Sequence, residues 1–151
     1  MLGIGDTAPE FQLYGQDGKL YSSSSFSKLV LYFYPKDLTS GCTLQAHGYS
    51  LLYKEFQKRG IEILGISGDS LERHQKFVAK EGIPFPLLSD EGFQVSRLYG
   101  VYGPKTMYGR VYEGIRRSSF YIEQGVLRIV NRDVKARDDA EEMLRSIDCG
   151  L

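Results

Sequence analysis

Cysteine is scarce in this chain of 151 residues, with only Cys42 and Cys149. Two thiols so far apart make neither a disulfide framework nor a zinc site. Histidine is equally rare, His47 and His74 alone, which argues against a histidine and cysteine metal cluster. Net charge is missing too: 19 basic residues balance 19 acidic ones, so the electrostatic footprint of a nucleic-acid or anionic-membrane binder is not there. No apolar run approaches the length that spans a bilayer, and residues 1–11 lack the basic-then-apolar pattern of a targeting segment. A cytoplasmic protein is therefore expected. There is no phosphate-binding glycine motif, no internal repeat, no low-complexity tract beyond Ser22 to Ser25 and no composition break. One domain over residues 1–151 follows. Its 42% hydrophobic and 25% charged content is that of an ordinary globular core.

What is present centres on Cys42. The unbroken apolar run Leu29 to Tyr34 predicts a strand covered on both faces. Pro35-Lys36-Asp37-Leu38-Thr39-Ser40-Gly41 follows, and then a helical stripe of Cys42, Ala46, Tyr49, Tyr53 and Phe56, ended by Lys58, Arg59 and Gly60. Cys42 thus falls in the first turn of a helix, among N–H groups with no helical partner. Such positions favour thiolate. An ordinary thiol near pKa 8.5 is about 3% ionised at neutral pH, whereas one lowered to roughly 6 would be about 90% ionised.

Elsewhere, two segments flanking Gly15-Gln16-Asp17-Gly18 predict an N-terminal β-hairpin. Ile61 to Ile66 reads as a second buried strand, and Asp69 with Glu72 has capping-box spacing ahead of a helix to about Glu81. Strand, helix, strand, helix in succession implies parallel strands. Leu87 and Leu88 form a short apolar piece, Phe93 to Tyr99 a small helix, and the glycine- and tyrosine-rich stretch to Gly114 a long loop, functional or a plain surface excursion. Ser118 to Ile122 and Val126 to Val130 flank a second hairpin turn. Ala140, Met143, Leu144 and Ile147 mark a last helix, with Asp138 and Asp139 at its positive end. The architecture is α/β, a central mixed sheet between helices.

A cysteine at the helix start after a central strand suggests the thioredoxin-like class, yet a dithiol oxidoreductase needs a second cysteine close by. A lone thiolate can instead attack a peroxide oxygen, given a hydroxyl to orient the substrate, a fixed cation and shielding from water. Thr39 can supply the hydroxyl, Pro35 can cover the thiolate, and Gly41 gives the backbone room to turn. Arg116 and Arg117 precede the strand Ser118 to Ile122. If that strand runs beside Leu29 to Tyr34, it brings one of the two arginines near Cys42.

These residues resemble the peroxiredoxins, specifically the peroxiredoxin Q or bacterioferritin-comigratory subgroup. Pro35, Thr39 and Cys42 fall on the family's proline, threonine and peroxidatic cysteine within Leu31-Tyr32-Phe33-Tyr34-Pro35-Lys36-Asp37. Phe85 to Asp90, Tyr99 to Gly103 and Met107 to Gly109 are similar to the subgroup's middle section, and Gly114 to Phe120 to its arginine motif, which selects Arg117. The resemblance implies a thioredoxin-like fold and a thiol-dependent peroxidase acting on hydrogen peroxide or small organic hydroperoxides, with no metal, haem, flavin or other cofactor. It also implies a monomer or weak dimer. Members of the subgroup often carry a resolving cysteine five residues after the peroxidatic one, where this chain has His47. Ser40 stands for a common proline and Leu38 for a common acidic residue.

Imidazole forms no disulfide, so a sulfenic acid at Cys42 would be resolved by an external thiol: thioredoxin, glutaredoxin or a low-molecular-weight thiol. Cys149 is the only internal candidate. Plainer roles stand beside each of these. An isolated cysteine is more often an inert buried hydrophobe, Thr39 could cap the helix, Arg117 could be a strand-edge charge, and Cys149 a bystander. His47, about 140° round the helix from Cys42, reads as a surface histidine. A peroxide sensor or relay, passing its oxidation to a partner protein, is the alternative function.

Overall fold

The structure, a computed structural model, describes residues 1–150. Its chain order begins with the hairpin β1 (Gln12–Tyr14) and β2 (Leu20–Ser22), then β3 (Lys28–Phe33), α1 (Ser40–Lys58), β4 (Glu62–Ser67), α2 (Leu71–Glu81) and β5 (Leu87–Ser89). It continues with α3 (Gln94–Leu98), the strands β6 (Tyr102–Met107), β7 (Arg110–Ile115), β8 (Ser118–Glu123) and β9 (Val126–Asn131), and α4 (Asp139–Asp148). Five strands form a sheet in the order β5-β4-β3-β8-β9. β3 pairs parallel with β4 and antiparallel with β8, so the sheet is mixed as expected.

The apolar run of β3 explains its central place. Val30, Tyr32 and Tyr34 pack into one core with residues of α1, α2 and α4, including Ala46, Tyr49, Phe77 and Met143. Leu29, Leu31 and Phe33 pack into the other, against Tyr99, Phe120 and Leu127. Both faces are dry, which is why alternation is absent from this strand. Gly60, at φ 73°, turns the chain out of α1. Helices α1 and α4 approach closely where Gly48 faces Ala140. A Cβ built on Gly48 would lie 3.3 Å from the Ala140 methyl.

Two local expectations are corrected. The stretch up to Gly114 is not a loop: β6 and β7 pair antiparallel, joined by Tyr108 and Gly109 at φ 52° and 77°. A two-residue turn with both central residues left-handed usually has Asn or Asp first, and tyrosine there conceals the signal. The cap of α2 is Ser70, whose Oγ accepts from the Arg73 N–H, rather than Asp69. Asp69 accepts instead from the Asp37 N–H at 2.8 Å and from the Arg73 guanidinium.

Candidate active site

β3 ends at the Cys42 site, and the loop 34–39 carries the chain into α1. Thr39 is the N-cap residue of α1, with extended backbone, but its side chain does not cap. Its hydroxyl donates to the Lys36 carbonyl at 2.8 Å, which leaves the oxygen free to accept. With no side-chain cap, the first N–H groups of the helix remain open to an oxygen ligand. Pro35 is half-buried at the head of this loop, and Leu38, exposed within it, is held at φ 66°.

Cys42 is 1% exposed and belongs to the core on the α1 side. Because β8 lies against β3 with Ser118 opposite Phe33, the residue just before β8 reaches the start of α1. That residue is Arg117. Its Nη1 and Nη2 both point at the Cys42 sulfur, each at 3.4 Å. Both terminal donors of one planar fork thus converge on a single atom. The approach depends on Gly41, where a Cβ would sit 3.0 Å from Arg117 Nη2. Gly41 is needed here for space rather than for an unusual backbone. Arg116 is exposed and turns the other way, to the Pro104 carbonyl and Asp133.

Several partners of this pair were not singled out in the sequence. Arg117 Nη1 also donates to Gln45 Oε1 at 2.8 Å, and Gln45 Nε2 donates to Asp139 at 2.9 Å. Gln45 lies three residues after Cys42, one turn along the same helical face, a spacing that could have flagged it. Asp139 is buried, and also accepts from Tyr49 and Ser119 at 2.8 and 2.6 Å. Burial pushes its carboxyl up, against the pull of those donors. Lys105 in β6 donates to the Ile115 carbonyl. Burial first, then the nearby Arg117 charge, lowers its ammonium.

A second buried network holds the loop from behind. Asp37 accepts from Tyr34 OH at 2.6 Å and faces His74 Nδ1, while His74 Nε2 lies 2.9 Å from the Leu88 carbonyl. A carbonyl only accepts, so Nε2 donates to it. His47 is exposed, 2.8 Å from Glu81. Cys149 is exposed at the end of α4. Its neighbour Asp148 is bound to Arg59 at 2.7 Å, beyond the far end of α1. Nineteen helical residues span about 28 Å, so Cys149 lies on the order of 25 Å from Cys42, where a disulfide needs Cα atoms within about 7 Å.

A thioredoxin-like sheet with one buried thiol at the start of the helix after its central strand, gripped by a guanidinium, defines a thiol-redox protein. Comparison with known proteins agrees. The AhpC/TSA family model matches residues 4–130. Peroxiredoxin Bcp of Escherichia coli is 41% identical over 146 residues, 95% of this chain and 94% of that protein. The bacterioferritin comigratory protein of Xanthomonas campestris, whose alkyl peroxide reduction activity has been examined, superposes with a TM-score of 0.90 at 33% identity, over 100% of this chain and 97% of that one. A peroxiredoxin Q mutant of Xylella fastidiosa superposes with a TM-score of 0.92 at 34% identity, over 99% and 97%. The chain belongs to the AhpC/TSA family and is a peroxiredoxin, a thiol peroxidase that reduces peroxide with electrons from a thiol reductant. No helix among its described residues is long and apolar enough to cross a membrane.

Proposed function

We propose that Cys42 is the peroxidatic thiol and that its oxidised form is resolved by a thiol from outside the chain. The observation that carries this reading is the Arg117 fork on the Cys42 sulfur. The thiolate attacks the terminal oxygen of hydrogen peroxide or a small organic hydroperoxide. An S–O bond forms as the O–O bond breaks. Sulfur is oxidised to sulfenic acid, and the departing hydroxide or alkoxide takes up a proton and leaves as water or alcohol. Arg117 stabilises the thiolate and the charge that grows on the leaving oxygen. Thr39, its hydroxyl hydrogen engaged by Lys36, accepts from the peroxide proton and aligns it. Pro35 excludes water. The alkyl peroxide reduction of the Xanthomonas campestris protein supports organic hydroperoxides as substrates.

External resolution is supported by two observations along α1. His47 occupies the place where a same-helix resolving thiol would sit, and Cys149 is far off. The resolving role of Cys149 within one chain would require α4 to leave the core that Ala140 and Met143 share with α1. Thioredoxin, glutaredoxin or a low-molecular-weight thiol then forms a mixed disulfide with Cys42 and releases it.

The test is the intact mass of reduced protein after one equivalent of hydrogen peroxide, with the changed cysteine mapped. A gain of about 16 Da at Cys42 is expected. A Cys42–Cys149 disulfide would overturn external resolution, and a Cys42→Ser variant that still consumes peroxide would overturn the peroxidatic assignment. Sustained turnover with thioredoxin, thioredoxin reductase and NADPH separates the peroxidase from a sensor, which would give a single stoichiometric burst.

A further inference from the structure

Acidic residues at a helix N-terminus ordinarily face solvent, where they complement the helix dipole. Asp139 does not. It opens α4 but is 1% exposed, and its carboxylate is turned into the core toward Gln45, Tyr49 and Ser119. All three contacts are donations to it from side chains on two other elements.

A carboxylate only accepts hydrogen bonds, so the Gln45 amide must present its NH2 group to Asp139. Its oxygen is thereby turned the other way, to Arg117 Nη1. Were the amide rotated by half a turn, an NH2 group would face a guanidinium, donor against donor. Shape alone does not choose between the two orientations, since oxygen and NH2 are nearly the same size. The accepting oxygen of Asp139 does choose. With Nη1 tied to Gln45, the guanidinium plane is set so that both of its terminal nitrogens meet the sulfur.

We infer that Asp139 is a positioning residue for the peroxidase reaction: it sets the Gln45 amide, and through it the Arg117 guanidinium on Cys42, so that the C-terminal helix completes the site. The inference rests on the proposed role of Cys42, but the relay can be read without peroxide. The experiment uses the full chain and two rates: alkylation of Cys42 by iodoacetamide at mildly acidic pH, and formation of its sulfenic acid in a single turnover with hydrogen peroxide.

Asp139→Ala frees the Gln45 amide and slows both rates by about tenfold or more, the equivalent of roughly 1.4 kcal/mol. Asp139→Asn rescues. One Asn oxygen accepts from Gln45 and Tyr49 as the carboxylate oxygen does now, its NH2 donates to Ser119, and both rates stay within about threefold of the parent. A merely structural role would not divide the two variants this way once each melts cooperatively. Gln45→Leu, which cuts the relay at its middle and leaves Asp139 two of its donors, slows both rates as well and serves if Asp139→Ala does not fold. Unchanged rates in a folded Asp139→Ala or Gln45→Leu, or an Asp139→Asn as slow as Asp139→Ala, overturn the inference. If the parent forms no sulfenic acid at Cys42, the peroxidatic reading fails, while the alkylation rates still report on the relay.

Discussion

Replacing Gly41 by alanine should make the protein more stable and slower. Gly41 is the second residue of α1, and a glycine inside a helix is less favourable than alanine by up to about 1 kcal/mol. Near the helix start about half of that is realised, raising Tm by roughly 1–2 °C. The new Cβ, however, would lie 3.0 Å from Arg117 Nη2 and 3.7 Å from its Cζ. Ordinary contact needs about 3.4 Å or more, so the guanidinium retreats by about 0.4 Å and its 3.4 Å contact with the sulfur becomes about 3.8 Å. At an effective dielectric constant of ~20 the attraction weakens from about 4.9 to about 4.4 kcal/mol, which is a two- to threefold loss of thiolate stabilisation. Gln45 resists the retreat through its 2.8 Å bond to Nη1, so the loss of peroxide rate stays within about two- to threefold. Stopped-flow peroxide consumption and iodoacetamide alkylation both read it. A Gly41→Ala enzyme as fast as the parent in both assays would refute the idea that this glycine makes room for the arginine.

Arg117→Lys keeps the charge but loses the planar fork, and should lower the second-order rate with peroxide by about 10²-fold; a loss below about threefold in stopped-flow traces would show that charge alone suffices. His74→Leu strands the Asp37 carboxylate, 0% exposed, at a cost of about 3–5 kcal/mol, or roughly 10 °C in a thermal melt. Asp37→Ala added to it should recover much of that, and additive losses would refute the pairing. Leu38→Gly removes a left-handed leucine and should raise urea stability by about 0.5–1 kcal/mol, an effect that vanishes if the loop is equally at ease with either residue. Asp139 has its carboxyl raised by burial. Its contribution is therefore complete below the ordinary carboxylate range and declines as pH rises through the folded value; Asp139→Asn should flatten that part of the stability profile in urea melts across mildly acidic pH, and an unchanged slope would contradict it.

The fold was readable wherever a residue's role depends on its own segment. β3 announced itself by an apolar run without alternation and α1 by its stripe and glycine stop, while supposing β8 beside β3 brought one of Arg116 and Arg117 to Cys42, and the family resemblance selected Arg117. What escaped depends on direction rather than identity. An aspartate at a helix start has the same pattern whether it faces water or core, so Asp139 passed for an ordinary end charge. His74 counted only against a metal site, although burial beside Asp37 gives it a partner. The hairpin of β6 and β7 hid because its turn uses tyrosine and its second strand leaves Val111 and Tyr112 exposed, erasing both the turn signature and the two-residue period.

The two halves of the thiol site are 75 residues apart in the chain, and this separates them in time during synthesis. Ribosomes add about 5–20 residues per second, so Cys42 exists for roughly 4–15 s before Arg117 is made. Throughout that interval the nascent chain carries a thiol without the guanidinium that lies beside it in the folded protein. On the proposed role of Cys42, reactivity toward peroxide switches on only as the late strands close against the early ones, and a stalled or truncated chain leaves the ribosome without it.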